Sequence, residues 1–149
     1  VRCRGRGEVY KRRRRSGVGS EAVRQRWNGR LMSGEALASY CLTEPGAGSD
    51  AASLKTSARR DGDDYVLNGA KSFISGAVDT DVLVLLSRTV CPGASGISCF
   101  AFAADTPGLI FCRTAATMFL SLQPSPWVIL FDVPLPVEYL CGGLSKAFF

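Results

Sequence analysis

Three hydroxyls, two carboxylates and two side-chain-free positions fall within eleven residues, Tyr40-Cys41-Leu42-Thr43-Glu44-Pro45-Gly46-Ala47-Gly48-Ser49-Asp50. Pro45 and the glycines form a turn. Gly46 and Gly48 let the backbone take positive φ and let a ligand reach the main chain with no Cβ in the way. A turn of this kind aims several N–H groups at one point, which suits a phosphate, a carboxylate or the polar edge of a flavin. Ser49 and Asp50 suit the capping of a helical turn or the holding of a ligand hydroxyl. A plain connection between two strands is the competing reading. Gly46-Ala47-Gly48-Ser49-Asp50-Ala51 also satisfies the dinucleotide fingerprint in its Gly-x-Gly-x-x-Ala form. That motif needs a buried strand before it and an acidic residue about twenty positions on. Ser39, Tyr40, Thr43 and Glu44 are too polar for the former, and Asn68-Gly69-Ala70-Lys71 lacks the latter.

The composition removes other chemistries. The chain has no His, so no imidazole base or ligand is available within it. Six cysteines at 3, 41, 91, 99, 112 and 141 form no Cys-x-x-Cys pair and no zinc-like spacing. They read as reduced thiols, and no metal site is expected. No apolar run reaches the eighteen or so residues that span a bilayer.

Charge divides the chain near position 30. Residues 1–30 hold eleven of the eighteen Lys and Arg against two acids; residues 31–149 hold seven basic against eleven acidic residues, a net of −4. Lys11-Arg12-Arg13-Arg14-Arg15 repels itself and cannot bury, so residues 1–30 are expected to be a basic, low-complexity, disordered leader. Such a leader is a nucleic-acid arm, an organelle-targeting segment or sequence foreign to the domain, and a nucleic-acid partner is the least favoured. The opening Val1, where a Met is usual, points to a piece of a longer chain.

Positioning of the turn falls to a set of short strands. Leu31–Leu37 reads as a helix end and Ala38–Thr43 as a strand. Lys55–Arg60 and Tyr65–Asn68 flank Asp61-Gly62-Asp63-Asp64, a hairpin signal, and Asn68-Gly69 marks a second turn or a bulge. Lys71–Ser75, Asp81–Arg88, Ile97–Ala103, Leu109–Arg113 and Val128–Val133 continue the series. Within Asp81–Arg88, Val-Leu-Val-Leu-Leu is apolar enough for burial on both faces. About seven short strands at this spacing give a mostly β fold, an antiparallel barrel or sandwich.

The chain resembles the middle β-barrel domain of the acyl-CoA dehydrogenases. Tyr40 to Asp50 is similar to that family's first signature, and Asp61-Gly62-Asp63, Tyr65-Val66-Leu67-Asn68-Gly69, Lys71, Phe73-Ile74-Ser75-Gly76, Gly96-Ile97-Ser98 and Asp105-Thr106-Pro107-Gly108-Leu109 follow in register. Among branches, the wording is most similar to the isobutyryl-CoA dehydrogenases of mitochondrial valine breakdown, with short-chain relatives close. The resemblance covers about Leu31 to Asp132 and thins after Gly108; Phe119 stands where a Gly is usual. It implies a middle domain over 31–136, followed at 137–149 by a degenerate start of the link to a helical domain, which Gly142-Gly143-Leu144-Ser145-Lys146-Ala147-Phe148 only loosely echoes.

The resemblance further implies FAD as cofactor. Tyr40, Cys41, Leu42, Thr43, Glu44, Pro45, Gly46, Ala47, Gly48 and Ser49 would lie along the flavin, with Thr43 offering a hydroxyl. Phe73, Ile74 and Ser75 would form the second flavin segment, with Ser75 near N5, and Ser49 would also meet the acyl-CoA substrate. Lys71 and Glu44 are left as structural or surface charges. The implied reaction is α,β-dehydrogenation of a short branched-chain acyl-CoA, with hydride to FAD N5. The catalytic glutamate belongs to the family's C-terminal helical domain, so no catalytic residue is assigned here. Homotetramer assembly, an electron-transfer flavoprotein acceptor and the mitochondrial matrix are implied by the same likeness. A non-catalytic, truncated β-domain or an interaction module with a basic arm is the alternative.

Overall fold

The computed structural model of the chain describes residues 20–90, 92–112 and 126–144. In chain order it contains α1 (Glu21–Ser33), β1 (Ala38–Cys41), β2 (Ser57–Asp61), β3 (Asp64–Lys71), β4 (Val82–Arg88), β5 (Ile97–Ala103), β6 (Leu109–Cys112), β7 (Trp127–Pro136) and β8 (Leu140–Cys141), with short 3-10 turns between. The strands form one sheet in the order β6-β7-β3-β2-β4-β5-β8, and β1 joins it beside β4.

β4 is the spine because its apolar run feeds two layers. Leu83 and Leu85 point into a cluster with Cys41, Tyr65, Leu67, Phe100, Phe102, Val128, Leu130, Val133 and Leu135. Val82 and Val84 point the other way, against α1. Leu86, also on that second side, meets Ala47, Leu54 and Ile97 beneath the Pro/Gly turn. β5 pairs with β4 along its whole length, Val82↔Ala103 through Arg88↔Ile97.

The mostly β fold matches expectation, with two differences in detail. The sheet is mixed, since β4 runs parallel to β1 and, at Ser57↔Arg88, to β2. Parallel pairing needs a long connection, and the forty residues between β1 and β4 supply it where short turns suggested hairpins throughout. Among the described residues the sheet is also open, with β6 and β8 at its two ends.

Residues 21–30 overturn the expectation of a disordered leader over the whole of 1–30. Ser20 caps α1, its Oγ accepting from Val23 N at 3.3 Å, and Gly34 closes the helix in the left-handed region at φ 80°. Val23, Trp27 and Leu31 recur every fourth residue and all three are buried. Arg24 pairs outward with Glu21, and Arg26 donates to the Tyr139 hydroxyl at 2.8 Å. Charge density over a window hid one apolar stripe, which is all that docking requires. Residues 1–19 lie outside the described ones, as does Phe119.

β3 runs unbroken from Asp64 through Asn68-Gly69 to Lys71, and the expected strand over Lys71–Ser75 does not form. Phe73 takes φ 57°, which no strand continues. The irregularity beside Asn68 belongs to the partner strand: Leu67 faces Val133 but Gly69 faces Leu130, so β7 carries one extra residue. Asp132 adopts φ 45° there, with Asn68 Nδ2 donating to its Oδ1 at 2.8 Å and its own N–H donating to Asn68 Oδ1 at 3.0 Å. Gly69 is irreplaceable on steric grounds, because a Cβ would stand 2.6 Å from Thr56 Oγ1.

Candidate functional site

The Pro/Gly turn and the segment after β3 run side by side at one end of the sheet. Ser72 N donates to Thr43 O at 2.9 Å, and Ser39 Oγ donates to Ser75 O at 3.0 Å. The turn itself is closed twice, by Glu44 N to Ala47 O at 3.0 Å and Ala47 N to Glu44 O at 3.2 Å. Ile74 N, on the other segment, donates to Pro126 O at 3.2 Å.

Of the two uses read in the sequence for the glycines, positive φ and main chain free of a Cβ, the first does not apply. Neither Gly46 nor Gly48 has positive φ, so neither is needed to relieve strain. A Cβ at either would meet nothing within 4 Å, which leaves bare main chain facing open space. That is the surface a flat or anionic ligand approaches most closely. The dinucleotide reading fails as expected, because Ala51–Ser53 is a single 3-10 turn and no helix N-terminus follows the glycines.

Of the residues expected at the site, Tyr40, Pro45, Gly46, Gly48, Ser49, Phe73 and Ser75 are exposed, and Thr43 is half-buried. Phe73 is 65% exposed, unusual for so large an apolar ring. Its positive φ is a strained conformation for a residue with a Cβ, and such strain persists where surrounding contacts over-determine it. Cys41, Ala47 and Ile74 are buried, so they offer the site main chain only, and Leu42 packs against the Ala47-Leu54-Leu86-Ile97 cluster. Asp50 Oδ2 accepts from Ser53 Oγ. Glu138 sits in the 3-10 turn after β7, and Glu35 follows the end of α1. No group of residues able to hold a metal exists among the described residues.

Glu44 and Lys71, read as structural or surface charges, form a buried ion pair at 2.8 Å with side chains 6% and 0% exposed. Glu44 Oε1 accepts from Lys71 Nζ at 2.8 Å, Thr56 N at 3.0 Å and Thr56 Oγ1 at 2.5 Å, while Oε2 accepts from Lys55 N at 2.7 Å. Lys71 Nζ also donates to Leu42 O at 3.2 Å. Burial pushes the Glu44 carboxyl up, but the donors on it and the Lys71 charge outweigh that and hold it below the ordinary carboxylate value. Burial draws the Lys71 ammonium below its ordinary value, and Glu44 opposes the shift. The inward position of Lys71 was readable: Tyr65, Leu67, Gly69 and Lys71 alternate along one face of β3, and the extra residue on β7 leaves that alternation intact. Ser72 Oγ, next to this pair, is buried with no protein partner.

A family model described as acyl-CoA dehydrogenase, middle domain, matches residues 39–132. The mitochondrial isobutyryl-CoA dehydrogenase of Dictyostelium discoideum is 45% identical over 131 residues, 87% of this chain and 32% of that protein. The protein of the same name from Bos taurus is 47% identical over 130 residues, 87% of this chain and 31% of its own length. The chain therefore spans about a third of the length of these relatives. Among solved structures, a glutaryl-CoA dehydrogenase from Mycobacterium smegmatis in complex with FADH2 superposes with a TM-score of 0.76 at 32% identity, covering 90% of this chain and 32% of that one.

Proposed function

From the premise that this chain belongs to the acyl-CoA dehydrogenase family through its middle domain, we propose that it supplies the β wall of an FAD site in a dehydrogenase of short branched-chain acyl-CoA thioesters. The observation that carries this reading is the pairing of the bare Glu44–Ala47 turn with the Phe73–Ser75 segment, locked by the Ser72 N to Thr43 O hydrogen bond of 2.9 Å. An exposed aromatic ring, exposed hydroxyls and main chain unobstructed by Cβ atoms fit a flat heterocycle with a polar edge.

In this reading Tyr40 to Ser49 lie along the flavin, and Phe73 offers its ring and Ser75 its hydroxyl from the second segment. FAD held by these segments would supply the oxidising chemistry, as acceptor of the hydride that leaves the substrate's β-carbon. This chain's own part is to bind and orient. Donors held rigidly at the ring's polar edge stabilise charge as it develops, without reorganising at that moment. Ser49, exposed beside the turn, contacts the acyl-CoA.

The α-proton is removed by a group outside this chain. Glu44 is committed to Lys71, Thr56 and Lys55, and its lowered pKa makes it a weak base. A base needs hydrogen-bond reach to the proton it takes. The same reading places the whole enzyme in the mitochondrial matrix, as a homotetramer that passes electrons to an electron-transfer flavoprotein. The likeness to the mitochondrial relatives supports the organelle.

Titration of the 15N-labelled chain with excess FAD is expected to shift amides within Tyr40–Ser49 and Phe73–Ser75 and few others. Isobutyryl-CoA added afterwards is expected to leave the flavin colour unchanged. Shifts centred on β5 and β8 would overturn the site assignment. Bleaching would overturn the assignment of the base to another part of the enzyme.

A further inference from the structure

The two segments of the proposed flavin wall lie about thirty residues apart in sequence, and beside the Ser39 Oγ to Ser75 O bond the Lys71 side chain ties the first of them to the end of β3. Lys71 Nζ reaches back to Leu42 O at 3.2 Å and to Glu44 Oε1 at 2.8 Å. The next residue, Ser72, donates its N–H to Thr43 O at 2.9 Å. Leu42, Thr43 and Glu44 are thus each held by Lys71 or Ser72. Glu44 extends the hold to the approach to β2 through Lys55 N and Thr56 N.

We infer that the buried Lys71–Glu44 pair is a positioning device that fixes the Thr43 turn against the Phe73–Ser75 segment before ligand arrives, and so controls flavin binding without either charged side chain touching the flavin. The inference rests on the flavin reading above for its ligand and on the hydrogen bonds for its mechanism. Stability alone does not call for such a pair, because well-packed apolar residues of similar volume commonly replace a buried ion pair without loss. What apolar residues cannot supply is direction. The ammonium grips a carbonyl on the chain entering the turn, and the carboxylate grips two amides on the chain leaving it, so the orientation of the turn is specified as well as its depth. Phe73 needs that specification most, since its φ of 57° is held between the Ser72 and Ile74 N–H bonds on either side. A turn free to slide would release the Ser72 bond and let Phe73 relax.

The test is amide hydrogen exchange, read by NMR on the full chain as wild type, Lys71→Met and Glu44→Gln, followed by addition of FAD. In Lys71→Met the exchange of the Ser72 and Thr56 amides is expected to accelerate about tenfold or more beyond that of the β4 and β5 amides, whose acceleration reports only the global loss of stability. FAD-induced shifts at Thr43, Phe73 and Ser75 should shrink with them. Unchanged exchange at Ser72 overturns the inference. Equal acceleration in β4 and β5 overturns it too, since that is the signature of a merely structural pair. Should Lys71→Met not fold, Glu44→Gln keeps volume and one acceptor, and the same two amides decide. If FAD moves no amide of the wild type, the flavin reading fails and takes the ligand half of the inference with it, while the exchange rates still judge the clamp.

Discussion

The two ends of β4 are covered in opposite ways. Val82 and Val84 lie under α1, where Val23, Trp27 and Leu31 give an apolar cover. Beyond Leu86, the sheet meets the Pro/Gly turn, which is held by a buried ion pair, four hydrogen bonds to one carboxylate and main chain left open to solvent. Apolar cover is non-directional and tolerates small shifts of a helix over a sheet. Charged hydrogen bonds are directional, and they hold an exposed turn in one place where too few apolar contacts are available to do so. The end proposed to face a ligand is therefore the one fixed by polar contacts.

The polar end of β4 is most vulnerable at the ion pair. Glu44→Ala leaves the Lys71 ammonium buried and uncompensated, and is expected to cost about 3–5 kcal/mol. The urea midpoint should fall at unchanged slope. A loss below about 1 kcal/mol would mean that the polar end holds nothing. The pH dependence carries the same sign. Because the folded pKa of Glu44 is depressed, its contribution is present above the ordinary carboxylate value of 4.5 and is lost as pH falls through the folded value. Glu44→Gln should flatten that acid limb.

At the apolar end Trp27→Ala is expected to cost about 3 kcal/mol with no such pH signature. It should also expose Arg24, Arg26 and Arg30 to trypsin, to which the wild type stays resistant throughout α1. Cleavage of wild type and variant at the same rate would show that the helix is not docked by this stripe. The smallest effect is the most diagnostic. Phe73→Gly relieves about 1–2 kcal/mol of left-handed strain against about 0.5–1 kcal/mol of added chain entropy. Thermal stability should therefore hold or rise slightly while FAD-induced shifts vanish. A clear fall in melting temperature would mean that the ring serves the fold and not the ligand.

Legibility in the sequence followed the same division. The apolar run of β4 and the Asp61–Asp64 hairpin were readable because each is a local pattern with one physical meaning, whereas the Tyr40–Asp50 turn, open to several readings from its residues alone, was legible through its resemblance to a family signature. α1 was missed because Arg24, Arg26 and Arg30 outweighed Val23, Trp27 and Leu31 in a composition window, although only the face presented to Val82 and Val84 decides docking. The parallel pairing of β1 with β4 was hidden because the partners lie some forty residues apart and leave no mark in either. Gly46 and Gly48 were read both for dihedral freedom and for the missing Cβ, and only the second applies, a choice that depends on what surrounds them. Ser39, whose hydroxyl holds Ser75 O, carries no signal until β1 is seen beside that segment.

The extra residue in β7 has a consequence for the shape of the sheet. Val128, Leu130, Val133 and Leu135 are the inward residues, so alternation would be perfect if Asp132 were absent. The core gains nothing from it. An extra residue on one strand bends that strand and increases its local right-handed twist. Gly108 approaches at this bend so closely that a Cβ would lie 2.5 Å from Phe131 O. Curvature is thus written into Asp132, fastened by Asn68 and permitted by Gly108. Deleting Asp132 should leave every buried side chain in phase and yield a flatter sheet, in which β6 is carried to a different place.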